Sequence, residues 1–135
     1  MSSAPTPRSG QPARPKYYDL SLAHLPPPGL VSIFHRISGI VLFFPILPIL
    51  LYVLHVTLGS REGWDRWHTL LTQRPGVKLI LFAFVWAYAH HFFAGIRYLL
   101  LDIHWGIAKP KARASAVAVL VLGVLTTLLF AWRFW

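Results

Sequence analysis

The chain of 135 residues contains no cysteine, so disulfide bridges are excluded. Covalently attached c-type haem and thiolate-ligated iron–sulfur clusters within this chain are excluded for the same reason. Charged residues are also scarce at 13% of the sequence, about half of the roughly 25% that is average for soluble proteins. So few charges cannot form the polar shell of a soluble domain around the 56% of residues that are apolar. The composition therefore predicts a membrane protein.

Acidic residues are the scarcest charged type, with 4 Asp and Glu against 13 Lys and Arg, which gives a net charge of +9. In a soluble protein this excess would suggest binding to nucleic acid. Here the basic residues flank long apolar runs, where they meet lipid head groups. We therefore expect a lipid bilayer as the surrounding partner and no nucleic acid.

Three long apolar runs predict an all-α membrane protein. Each has at least the ~20 residues that a helix needs to cross a hydrocarbon layer of ~30 Å. Residues 1–29 lack an apolar stretch of the length found in signal peptides, so we interpret them as a tail on the membrane face. The transmembrane domain then covers residues 30–135, with a polar loop at 59–76, and its spans lie at about 30–58, 77–101 and 114–132.

The basic residues outside the spans give a weak prediction of orientation. Six lie on the face that holds the N-terminal tail and the loop after the second span, namely Arg8, Arg14, Lys16, Lys109, Lys111 and Arg113. Five lie on the opposite face, namely Arg61, Arg66, Arg74, Lys78 and Arg133. Because cytoplasmic loops are enriched in Lys and Arg, we expect a multi-pass protein of a bacterial inner membrane with its N-terminus in the cytoplasm.

The start of the first span carries polar residues on a single helical face. Ser32, His35, Arg36 and Gly39 follow the spacing i, i+3, i+4 and i+7. Ionisable residues inside a membrane are costly and usually mark a functional site. An arginine that extends to the lipid head groups, together with a serine at a helix start, would also explain them. The residues alone leave both interpretations open.

The second span carries a second polar face, formed by His91, Gly95, Tyr98 and Asp102 at offsets 0, 4, 7 and 11. His91 lies ten residues from the end of its span, or about 15 Å deep at the helical rise. An imidazole at this depth is a proton relay, a hydrogen-bonded structural residue or a metal ligand, for example to haem iron. Gly95 leaves room for a flat macrocycle. A structural histidine and a haem ligand both stay open on these residues.

The two polar faces meet at one surface of the membrane, because the first span enters where the second leaves. Ser32 and Arg36 therefore lie on the same side as Asp102. A quinone needs hydrogen-bond donors for its carbonyl groups and positive charge close to the oxygens that gain electrons. A serine hydroxyl and an arginine at one lipid boundary suit this chemistry.

The motifs resemble those of the cytochrome b subunit of succinate dehydrogenase. SIFHRISG at 32–39 resembles its S-x-x-H-R-x-[ST]-G signature, and HFFAGIRYLLLD at 91–102 resembles its H-x-x-x-G-I-R-H-x-x-x-D signature. RPKYYDLSL at 14–22 is similar to the segment that precedes the first span. The resemblance covers about residues 14–132 and includes the three-span layout.

The resemblance implies roles for individual residues. His91 corresponds to an axial ligand of haem b, with the adjacent His90 as the rival assignment. His35 and Arg97 lie where the family contacts the haem propionates, and Tyr98 replaces a second histidine of many members while keeping a hydrogen-bond donor. The quinone-site residues would be Ser32, Arg36 and Asp102.

The resemblance also implies partners. The family forms a four-chain complex in which a flavoprotein oxidises succinate, an iron–sulfur protein relays electrons, and two small membrane subunits bind haem b and reduce ubiquinone. This chain would be one of the small subunits and form half of a heterodimeric haem- and quinone-binding helical bundle. It would contribute to the quinone site of the enzyme, in the tricarboxylic acid cycle and aerobic respiration, without a catalytic domain of its own.

Other functions remain compatible with the sequence. A fumarate reductase anchor would use the same groups in the reverse direction. A small membrane transport component without haem would use the histidines and arginines as a proton path. A pure scaffold would leave Ser32 and Arg36 without a role.

Overall fold

A computed structural model describes residues 25–134, and these form five α-helices and one short π-helical segment. No strand occurs in this part of the chain, and three helical segments are long and apolar enough to span a membrane. The prediction of an all-α, three-span membrane fold is therefore confirmed. Most of the predicted tail, including the segment 14–22, lies outside the described residues, as does Trp135.

The first span consists of helix α1 (Pro27–Val41), a π-helical turn (Leu42–Ile46) and helix α2 (Leu47–Gly59). Together they form a continuous segment of 33 residues. Pro45 lies inside the π-helical turn. Proline lacks an amide hydrogen and its ring collides with the carbonyl four residues earlier. The wider π turn accommodates that collision without ending the helix.

Residues 59–76, which the sequence predicts to be a polar loop, contain helix α3 (Arg61–Gln73), so the loop prediction is wrong. The Ser60 hydroxyl caps this helix by accepting a hydrogen bond from the Gly63 amide at 3.0 Å. Tryptophans at positions 64 and 67 and leucines at 70 and 71 fall on one side of the helix, and most charged residues fall on the other. The segment is therefore an amphipathic helix between two spans. Its many charged residues made it resemble a polar loop in the sequence.

The second and third spans are helix α4 (Pro75–Asp102) and helix α5 (Lys109–Phe134). A tight turn joins them and contains two residues with positive φ, His104 at 61° and Gly106 at 77°. Glycine adopts this backbone conformation without steric cost. The turn reverses the chain within six residues and brings the start of α5 beside the end of α4.

Helix α4 is the centre of the fold, since it packs against both α1 and α5. The buried residues at these contacts are small, namely Val31, Ala87, Ala89, Ala94, Ala116, Val119 and Gly123. Small side chains let membrane helices approach closely and gain van der Waals contact. The large apolar side chains point outward instead, with Phe44 68% and Trp132 85% exposed. Such an outer surface suits lipid or another apolar helix.

Candidate functional site

Two histidines from different spans stack on each other. The rings of His35 on α1 and His91 on α4 have centroids 4.2 Å apart and planes 11° from parallel. The first span enters the membrane where the second leaves it, so helices α1 and α4 run in opposite directions here and these two positions come level. The sequence treats the residues as members of two separate motifs, and the fold joins them.

Hydrogen bonds fix the orientation of His91. Its Nδ1 atom lies 3.1 Å from the His35 carbonyl oxygen and 3.1 Å from Ser38 Oγ. The Ser38 hydroxyl donates to the same carbonyl at 3.0 Å. Because a carbonyl only accepts, this network assigns the proton of His91 to Nδ1, which donates to the His35 carbonyl and to Ser38 Oγ. The Nε2 atom then keeps a free lone pair.

Two glycines make room for the stacked rings. A Cβ atom at Gly39 would lie 3.1 Å from His91 Cε1, which is closer than an ordinary contact. A Cβ atom at Gly95 would lie 3.9 Å from His35 Nε2, at normal contact distance. Gly39 is therefore required for the position of the His91 ring, while Gly95 leaves open space beside His35.

Tyr98 lies two helical turns nearer the end of α4 than His91. The centre of its ring is 5.1 Å from the centre of the His35 ring. Its hydroxyl is buried and has no hydrogen-bond partner among residues 25–134. Buried polar groups without a partner are rare in native proteins and call for an explanation such as a ligand. We call His35, Ser38, His91 and Tyr98 the histidine cluster.

Arg97 points in a different direction. It is only 6% exposed, and it donates hydrogen bonds to Ser115 Oγ at 3.1 Å and to the Ala112 carbonyl at 3.2 Å, both on helix α5. Its guanidinium carbon lies 5.4 Å from the centre of the Tyr98 ring. The arginine therefore adjoins the histidine cluster through Tyr98, but its direct hydrogen bonds join α4 to α5.

The three residues predicted for the quinone site lie at the same end of the bundle. Ser32 is half-buried near the start of α1, Arg36 is exposed one turn further along, and Asp102 is exposed at the last position of α4. They do not contribute to the hydrogen bonds of the histidine cluster within the described part of the chain. Their side chains are accessible to a partner or a substrate.

The adjacent histidines His90 and His91 occupy different environments. His90 is completely buried, stacks on Trp86 at 5.4 Å and meets the edge of Phe34 at 5.8 Å. Gly123 of α5 covers its backbone. Neither ring nitrogen of His90 bonds to a side chain among residues 25–134, and the backbone of Val31 is the polar group beside the ring. His90 is thus enclosed between α1, α4 and α5, whereas His91 is only partly buried.

The other histidines lie apart from the cluster. His55, His68 and His104 are exposed, and His24 lies outside the described residues. Between residues 25 and 134 no three His, Asp or Glu side chains lie close enough to hold a metal ion together.

Two serines that contact site residues, Ser38 and Ser115, are not predicted from the sequence. Ser38 follows His35 by one helical turn within the first motif, so its spacing could have identified it as a hydrogen-bond partner. Ser115 is a polar residue near the start of α5, just after the basic residues of its first turns, and it accepts a hydrogen bond from Arg97. No spacing rule relates Ser115 to Arg97, because they come together through the packing of two helices.

Cofactor and metal sites of helix bundles are built from side chains on facing helices, and His35 and His91 are placed in this way. Residues 10–130 match the family model described as the succinate dehydrogenase/fumarate reductase transmembrane subunit, and the chain belongs to this family. The resemblance to cytochrome b anchors that its motifs indicate is thereby confirmed, and the membrane-anchor role is preferred over a transport component without haem.

Curated relatives agree with this assignment. The chain is 37% identical over 122 residues to the succinate dehydrogenase cytochrome b556 subunit of Coxiella burnetii, with 90% of this chain and 97% of the relative covered. It is 31% identical over 99 residues to the protein of the same name from Rickettsia typhi, with 73% and 75% covered. The chain thus spans nearly the whole length of a bacterial cytochrome b anchor.

Proposed function

We propose that this chain binds haem b through His91 and, with a second membrane subunit, forms the site where ubiquinone is reduced by electrons from succinate. The observation that carries the proposal is the hydrogen bonding of His91. Its Nδ1 atom is 3.1 Å from the His35 carbonyl oxygen, which leaves Nε2 free to bind iron. Metal-binding histidines almost always donate their other ring proton to a carbonyl or a carboxylate in this way.

The surroundings of His91 fit a haem. Gly39 lets the His91 ring take its place, Gly95 leaves space beside the His35 ring, and the buried Tyr98 hydroxyl has a free donor for a propionate. The His35 ring offers a second donor, and the positive charge of Arg97 contributes at longer range through its position 5.4 Å from the Tyr98 ring. When bound, haem b supplies one-electron transfer within the membrane.

His91 rather than His90 is the iron ligand in this proposal. His90 is enclosed by aromatic and backbone groups of three helices, so a macrocycle could reach it only after the helices separate. His91 needs no such movement. With a single histidine ligand from this chain, the second small membrane subunit would supply the other ligand of the iron.

The quinone site in this proposal lies at the entrance to the histidine cluster. Ser32 donates a hydrogen bond to a quinone carbonyl, and the Arg36 guanidinium stabilises the negative charge that develops on the quinone oxygens. Asp102 lies at the water-facing end of α4 and completes the polar rim. Arg36 and Asp102 are exposed in the single chain, which suits a site that a second chain closes.

The proposal includes a four-chain complex. The flavoprotein and iron–sulfur subunits dock on the face where Ser32 and Arg36 lie, which is the cytoplasmic face of a bacterial inner membrane if the N-terminus is cytoplasmic. A fumarate reductase anchor is the second candidate, because the family description covers both enzymes. The direction of electron flow distinguishes the two, and it depends on the quinone.

The haem assignment is tested by difference spectra of membranes that contain the assembled complex. We expect His91→Leu to abolish or shift the b-type absorbance, while His55→Leu and His90→Leu retain it. His55 is the exposed control and His90 the adjacent one. An unchanged spectrum in His91→Leu would reject the ligand assignment.

The quinone assignment is tested by comparing two activities of the same complex. We expect Ser32→Ala and Arg36→Leu to slow electron transfer from succinate to ubiquinone. Reduction of an artificial dye by the soluble subunits should continue, since those subunits do not depend on the quinone site. Equal loss of both activities would indicate failed assembly and would contradict a quinone role.

A further inference from the structure

The contact between α4 and α5 encloses a second feature, on a different side of α4 from the stacked histidines. A cavity of about 710 Å³ lies between the end of α4 and the start of α5. Its volume falls within the range of roughly 300 to 1,000 Å³ that is typical of ligand sites. Phe93, Arg97, Trp105, Lys111, Ala118 and Leu122 are among the residues that line it. We call it the α4–α5 groove.

The groove contains a buried positive charge without a counter-charge. Arg97 is 6% exposed, and its hydrogen bonds go to the neutral Ser115 hydroxyl and Ala112 carbonyl. Within residues 25–134 no carboxylate forms an ion pair with it. A charge at membrane depth is costly unless it is paired or hydrated. Arg97 therefore calls for an anion, and a second cation, Lys111, lines the same groove.

The groove changes from polar to apolar along its length. Lys111 lies two residues after the start of α5, and Trp105 lies in the turn before it, 66% exposed. Tryptophan and lysine are typical of the head-group layer. Phe93 and Leu122 line the other end. From Lys111 to Leu122 the helical rise gives about 16 Å, which is roughly half of a ~30 Å hydrocarbon layer.

Small residues open the groove on the α5 side. Ala114 and Ala118 are one turn apart, both line the cavity, and both are exposed. Their short side chains leave a channel that runs between the cationic end and the apolar end. A groove of this length, with two cations toward one end and apolar side chains at the other, matches the charge and polarity of a single phospholipid.

We propose that the α4–α5 groove binds one anionic phospholipid of the same leaflet. Its phosphate pairs with Arg97 and Lys111, and one acyl chain lies over Ala118 and Leu122. Arg97 lies five residues before the end of α4, about 7.5 Å below it at the helical rise. A long arginine side chain bridges this depth to the phosphate layer. The lipid thus neutralises a charge that the protein leaves unpaired.

The experiment measures lipid binding to the intact complex, purified in mild detergent and depleted of lipid. Native mass spectrometry follows titrations with dioleoyl-phosphatidylglycerol and with dioleoyl-phosphatidylcholine, which share acyl chains and differ in net charge. We expect the anionic lipid to bind at least about tenfold more tightly, as for a charge-assisted hydrogen bond. Inorganic phosphate, titrated in parallel, should not compete at equal concentration, since it lacks the acyl chain.

Three variants test the parts of the groove separately. Arg97→Gln should weaken binding of the anionic lipid by at least about tenfold, and Lys111→Gln by about fivefold, as for one lysine at a lipid surface. Ala118→Leu fills the channel and should weaken both lipids. Arg113→Gln is the matched control, because it removes an exposed charge from the same turn of α5 without lining the groove.

Several results would overturn the proposal. Equal affinity for the two lipids would show that Arg97 and Lys111 do not select the anionic head group. Equal losses of affinity in Lys111→Gln and Arg113→Gln would indicate general attraction between a basic surface and an anionic lipid. Effective competition by inorganic phosphate would identify a free anion as the occupant. Normal lipid binding in Ala118→Leu, or release of a protein subunit by this variant, would show that no acyl chain fills the channel. If the complex with Arg97→Gln does not assemble, the proposal is tested by Lys111→Gln and Ala118→Leu against the control Arg113→Gln. Lys111, Arg113 and Ala118 have no part in the proposed haem site, so the results of their variants are independent of haem binding.

Discussion

Replacing Gly39 by alanine tests the geometry of the histidine cluster with a single methyl group. The new Cβ atom would lie 3.1 Å from His91 Cε1, so the ring must move by a few tenths of an ångström. Its Nδ1 atom is held at 3.1 Å by the His35 carbonyl, so movement of the ring strains that hydrogen bond. Overpacking of this kind costs about 1–3 kcal/mol, partly offset by the ~0.5–1 kcal/mol that alanine gains over glycine in a helix.

The assay is the reduced-minus-oxidised spectrum of haem b together with the midpoint potential, both measured in membranes. We expect Gly39→Ala to shift the potential and to lower haem retention by about 10-fold, the lower end for a disturbed supporting hydrogen bond. Gly76→Ala is the matched control on the facing helix α4, because no atom lies within 4 Å of the Cβ atom that it would add. If both variants behave like the parent protein, the position of the His91 ring does not depend on Gly39 and our account of the cluster is wrong.

Three further substitutions test other parts of the structure. Ser38→Ala removes one hydrogen-bond partner of His91 and should lower haem retention about 10-fold in a haem-release assay, and full retention would contradict a supporting role. His90→Leu replaces two buried ring nitrogens for which the Val31 backbone is the polar neighbour in the described part of the chain. It should not lower the free energy of unfolding by more than about 1 kcal/mol, the value of one hydrogen bond, measured as thermal unfolding in detergent, and a larger loss would contradict this account. Gly63→Ala places a methyl group against the Val56 carbonyl and should lower the unfolding temperature, whereas the open position Gly59→Ala should not, and equal behaviour would refute a required close contact.

The sequence was sufficient to predict the three spans, because hydrocarbon thickness imposes a length and a polarity that composition reveals directly. Helix α3 was not predicted, because its charged residues and tryptophans are also typical of a polar loop at a membrane surface. Only the helical spacing of its apolar residues distinguishes the two. The pattern at positions 64, 67, 70 and 71 would have revealed an amphipathic helix. A search for helical periodicity inside polar connections would have corrected this error.

The candidate site was predictable only in part. The i, i+4 spacing placed His91 and Gly95 on one face of α4, and the antiparallel order of the spans brought α1 beside it. No spacing rule could show that His35 stacks on His91 at 4.2 Å or that Arg97 turns toward Ser115 on α5. Those contacts depend on the rotation of each helix about its axis, which is set by the packing of small residues at the helix contacts.

The hydrogen bond from His91 to the His35 carbonyl joins a side chain of one span to the main chain of another. Ser32 and Arg36 belong to that same helix α1. Sliding or rotating α1 therefore reorients the imidazole as well as the groups at the rim. The absorbance of an iron bound to this imidazole would therefore change when α1 moves relative to α4. A disturbance at Ser32 or Arg36 would then be detectable in the haem spectrum.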